Sequence, residues 1–61
     1  MIELSTVRRT KGVSIAELSK RSGISRTTIY KVERGEGDVS TKTLKALADA
    51  LGVKITDFFI G

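Results

Sequence analysis

The sequence predicts an all-α domain of about five short helices, and three features carry that prediction. Helix-starting serines and helix-ending glycines alternate along the chain, at Ser14, Gly23, Ser25, Gly35, Ser40 and Gly52. Between them apolar residues recur at spacings of three and four, the period of one helical face. No proline breaks the pattern, and no run shows the polar–apolar alternation of a half-buried strand.

Leu4 and Val7 mark one face of a first short helix, which Gly12 ends. "SIAE" opens the second: Ser14 suits the N-cap and Glu17, three residues on, suits the reciprocal bond of a capping box. This helix is expected over about Ile15 to Ser22, with Ile15, Leu18 and Ser22 on one side and Lys20 and Arg21 outside. Gly23 stops it, Ile24 is apolar within the turn, and Ser25 is the next cap. The third helix covers about Arg26 to Arg34 and stops at Gly35, and "GEGDVS" then forms a loop that closes on the Ser40 cap. In the fourth helix, "TKTLKALADAL", one stripe holds Leu44, Leu47, Ala48 and Leu51, and Gly52 ends it. "VKITDFFIG" reads as a short final helix or turn. Helices this short need tertiary packing to be stable.

With 61 residues the chain is expected to be a single domain, residues 1–61, with a modest core and none left over for an effector domain. It has no Cys and no His, which excludes disulfides and the usual zinc sites and leaves helix packing and self-association as sources of stability. No cofactor is expected. No apolar run approaches the roughly 20 residues of a membrane span, and "MIELSTVRRTKG" lacks the apolar run and cleavage site of a signal peptide. A soluble, cytoplasmic protein is the expectation. The formal charge is +4 and is unevenly placed. From Arg8 to Arg34 eight basic residues meet two acids, Glu17 and Glu33, whereas beyond Arg34 three lysines meet four acids. Such asymmetry favours a nucleic-acid surface over a general solubility coat. An enzyme is not expected: there is no His or Cys, no glycine-rich phosphate loop after a strand, and too little chain to enclose a cleft.

Residues Ile15 to Arg34 have the spacing of a helix-turn-helix. Gly23 supplies the permissive residue of the turn, Ser19 is small where the helices cross, and Leu18, Ile24, Ile29 and Val32 supply apolar anchors. "KGVSIAEL", "GISRTTIYKVERG", "TLKALADALGV" and "ITDFF" follow one another without insertion, and together they resemble the phage-repressor/Cro-type (XRE-like) helix-turn-helix family over nearly the whole chain.

The resemblance implies a compact five-helix lambda-repressor-like domain that binds double-stranded DNA. It places Ser25, Arg26, Thr27 and Lys31 at the family's groove-facing positions. The chemistry agrees: Arg26 suits guanine O6 and N7, Thr27 suits a thymine methyl or a base edge, and Lys31 suits guanine or phosphate. Ser14 and Ile15, at the start of the second helix, are candidates for phosphate, with Thr28, Arg34 and Lys42. Tyr30 suits either a phosphate or the edge of the core. The family's pattern further implies an ion pair between Arg8 and Glu33.

The chain also departs from that pattern. Ile15 stands where a glutamine is usual, and Ser22 replaces an aliphatic, implying a poorer core. Lys54 stands where a cap is usual, and the loop after the third helix carries Glu36 and Asp38. Acids near phosphate oppose binding, so either the loop turns away or the salt-dependent affinity is weakened.

Phe58, Phe59 and Ile60 crowd the C-terminus and are the candidate dimer contact, with closure of the monomer core as the alternative. The expected function is a sequence-specific transcriptional regulator, a small repressor reading a near-palindrome as a homodimer. The competing expectation is an antitoxin-like or accessory module with a protein partner.

Overall fold

The computed structural model describes residues 2–59. Four α-helices run in order, α1 (Leu4–Thr10), α2 (Ile15–Ser22), α3 (Arg26–Arg34) and α4 (Thr41–Leu51), followed by one turn of 3-10 helix, Ile55–Phe58. The fifth expected helix is thus a single tight turn. Its geometry explains how the apolar C-terminus divides. In a 3-10 helix residues three apart share a side, so Ile55 and Phe58 both face the core while the next residue does not.

Each of the five segments contributes one large, fully buried side chain: Leu4, Leu18, Ile29, Leu47 and Phe58. Val7, Val13, Val32, Leu44, Ala48 and Leu51 complete the core. No polar or charged residue is buried among the described residues.

Helix starts follow one repeated chemical pattern. Ser14, Ser25 and Ser40 have extended backbones, and their hydroxyls accept from the amides of Glu17, Thr28 and Thr43 at 3.0, 3.2 and 3.1 Å. An aliphatic residue precedes each serine and another follows four positions later: Val13 and Leu18, Ile24 and Ile29, Val39 and Leu44. All six belong to the core or pack on it, the arrangement of a hydrophobic staple that sets the angle at which chain enters helix. Val13, on no helical stripe, enters the core through this staple, and its place just before a capping serine is the signal that marks it.

Two capping expectations are corrected. Glu17 does not bond back to Ser14; its carboxylate lies 3.4 Å from Arg21, one helical turn on. Lys54 does not leave the last turn uncapped, because Asp57 reaches back and its Oδ2 accepts the Lys54 amide at 3.0 Å.

Candidate nucleic-acid interface

The turn between α2 and α3 is held by α2 itself. Gly23 adopts φ +74°, in the left-handed region, and nothing crowds the space a Cβ would take. Glycine is required there by backbone conformation alone. The next residue, Ile24, has both backbone polar groups bonded to serines of α2. Ser19 Oγ donates to its carbonyl at 2.6 Å, and its amide donates to Ser22 Oγ at 3.1 Å. Ser22 therefore does more than shrink the core: its hydroxyl satisfies a turn amide that an aliphatic side chain would leave without this partner. Ser19 likewise acts as a hydrogen-bond donor as well as a small residue.

The inner side of α3 is fixed by burial and by charge. Ile29 and Val32 enter the core. Glu33 lies 2.7 Å from Arg8 Nε of α1, with side chains only 11% and 13% exposed for Arg8 and Glu33. Arg8 also donates to the Val13 carbonyl at 2.8 Å. One guanidinium thus ties α1, the α1–α2 connection and α3 together; of these links the resemblance implied the pair with Glu33.

The outer side of α3 is open. Arg26, Thr27, Tyr30, Lys31 and Arg34 are all exposed. At 3.6 residues per turn they form one continuous face, with Tyr30 and Lys31 on either side of a line through Thr27 and Arg34. Tyr30 is 49% exposed and so sits within the outer face rather than finishing the core. Among the described residues the side chains of Arg26, Thr27, Tyr30 and Lys31 make no hydrogen bond or ion pair. Ser25, at the head of this face, caps α3 and donates to Thr28 Oγ1 at 3.0 Å. Thr28 is half-buried and lines a surface depression with Lys31, Asp38, Ser40 and Thr43, so the start of α4 borders the same face. Lys42 is exposed in the first turn of α4, and Ser14 is exposed at the head of α2. The Ile15 side chain packs against the core, so only its backbone could meet a phosphate.

Arg34 is not free: its Nε lies 2.7 Å from Glu36 of the acidic loop. The C-terminal cluster also divides. Phe58 is fully buried, so as a dimer-contacting residue it is corrected to a core residue, while Phe59 is 53% exposed. Ile60 lies outside the described residues.

Two helices joined through a left-handed glycine, the second anchored on one side and open, polar and cationic on the other, form a helix-turn-helix. Comparison with known proteins bears this out. The chain matches the helix-turn-helix family model over residues 4–58. It is 46% identical over 44 residues to an uncharacterised HTH-type transcriptional regulator of Methanocaldococcus jannaschii, covering 72% of this chain and 67% of that one. A longer HTH-type regulatory protein of Methanococcus vannielii is 34% identical over 95% of this chain, which spans only 20% of that protein's length. The fold of the restriction-modification controller protein C.AhdI from Aeromonas hydrophila superposes with a TM-score of 0.87 at 35% identity, covering 93% of this chain and 86% of that one. The chain belongs to the XRE-type helix-turn-helix family of transcriptional regulators. That family comprises DNA-binding proteins and not enzymes.

Proposed function

We propose that the chain is a sequence-specific DNA-binding repressor that reads a near-palindromic operator as a homodimer, with α3 lying in the major groove of each half-site. The outer face of α3 is the observation that carries this reading. The side chains of Arg26, Thr27 and Lys31 are exposed and make no hydrogen bond or ion pair among the described residues, on a helix whose opposite side is anchored. In this reading Arg26 takes guanine through O6 and N7, Thr27 meets a thymine methyl, and Lys31 reaches guanine or phosphate. Ser25, Thr28, Tyr30, Lys42 and the head of α2 at Ser14 and Ile15 bound the same approach and position the backbone.

Nine residues of α3 span about 13 Å, or roughly four base-pair steps, which is too few to specify a site. A two-fold pair with half-sites about one helical turn apart doubles the reading length. Phe59, an exposed aromatic, is the anchor proposed for that pair. Occupancy of the operator would itself give repression, and the protein would act in the cytoplasm. Among the described residues no helix is long and apolar enough to cross a membrane.

Selecting bound sequences from random duplex DNA tests the reading. The expected result is a short near-palindrome, with an Arg26→Ala/Lys31→Ala variant that keeps its helical circular dichroism but loses about 2–4 kcal/mol of binding, summing a base contact and a second base or phosphate contact. A folded double variant that binds as tightly as wild type overturns the assignment. The apolar depression formed by Ile2, Val32 and Val39 beside Gly35 supports the second reading, a protein-interaction module. Selection that enriches no duplex would favour that module instead.

A further inference from the structure

The acidic loop is placed by α3, not merely appended to it. Gly35 turns the backbone at φ +72°, and the Glu36 amide donates to the Lys31 carbonyl at 2.8 Å. Glu36 is therefore held against the last turn of α3, and its carboxylate lies 2.7 Å from Arg34. Glu36 and Asp38 then line one depression with Thr28, Lys31 and the first turn of α4. The loop therefore does not turn away from α3 at this edge.

Resting on the DNA-reading function proposed above, we propose that Glu36 sets the selectivity of the interface by neutralising Arg34. Arg34 occupies the centre line of the outer face and would otherwise be an available phosphate contact. Phosphate contacts carry no sequence information and supply most of the nonspecific affinity. The pair need not be tight to act. Both side chains are more than half exposed, and an exposed pair contributes little stability. The carboxylate nevertheless enters the interface wherever Arg34 does, so the two together bring no net positive charge. Discrimination then rests on Arg26 and Thr27, which read bases.

Fluorescence anisotropy with wild type, Glu36→Gln, Arg34→Gln and the double variant tests this, using the selected duplex and a scrambled duplex of equal length over a potassium chloride series. Glu36→Gln should tighten binding to the scrambled duplex by on the order of tenfold near 0.1 M salt and steepen the log–log salt slope by roughly 0.9 per protomer. The ratio of selected to scrambled affinity should fall. Arg34→Gln alone leaves the Glu36 carboxylate unpaired at the interface, so it should weaken binding to both duplexes and give a slope no steeper than wild type. Adding Arg34→Gln to Glu36→Gln should cancel the steepening. A wild-type slope in Glu36→Gln, or a steepening that survives in the double variant, overturns the proposal while leaving the DNA-reading function intact. A wild type that binds neither duplex at low salt overturns that function, and this proposal with it.

Discussion

Glu33 and Arg34 are neighbours at the end of α3, and each holds an ion pair of 2.7 Å. The pairs nevertheless belong to different regions. Arg8–Glu33 lies between helices, with little solvent to screen it and a third partner in the Val13 carbonyl. Arg34–Glu36 lies on the open face, more than half exposed at both ends. Equal distances thus conceal unequal worth, because removing one half of a desolvated pair strands the other charge, whereas water compensates an exposed one. The inner side of α3 is where the fold is held, and the outer side is where charge is left for a ligand.

Substitutions at neighbouring positions can break or sharpen that contrast. Ile29→Ala should have the largest effect, about 2–5 kcal/mol, against a total that for this length is roughly 3–9 kcal/mol. Thermal melting by circular dichroism should show the midpoint lowered by roughly 10–40 °C, while Tyr30→Ala, one residue along, should stay within about 1 kcal/mol of wild type. Glu33→Ala should follow at about 2–4 kcal/mol, with Glu33→Gln milder because an acceptor for Arg8 remains. Ser19→Ala should destabilise by about 1 kcal/mol in urea unfolding, through loss of its bond to the Ile24 carbonyl. Glu36→Ala comes last, within about 0.5 kcal/mol. If it destabilised the fold as much as Glu33→Ala, the division into a structural and an open side would be wrong.

Much of this contrast was already legible in the sequence. Ser14, Ser25 and Ser40 announced their helices because a cap needs a hydroxyl at one position, and Gly23 and Gly35 announced the ends because their φ is positive. Arg26, Thr27 and Lys31 could be placed outside because Ile29 and Val32 had to be inside. The Arg8–Glu33 pair came through family resemblance, since 25 residues separate the partners and no local spacing connects them. What stayed hidden depended on orientation within turns. Ser22 looked like a weak core residue because its bond to the Ile24 amide exists only once the turn closes. Phe58 and Phe59 looked equivalent because a four-residue turn is too short for periodicity to separate them. The Arg34–Glu36 pair was hidden for the same reason, as Gly35 decides which way the loop leaves.

The side chains of Arg26, Thr27, Tyr30 and Lys31 hold no hydrogen bond or ion pair among the described residues, while α3 is secured by Ile29, Val32, Glu33 and the serines of α2. The four can therefore be exchanged without touching what keeps the helix in place. On the proposed DNA-reading function the domain is a chassis with a rewritable address, in which a new target would require new tips on α3 but no new fold.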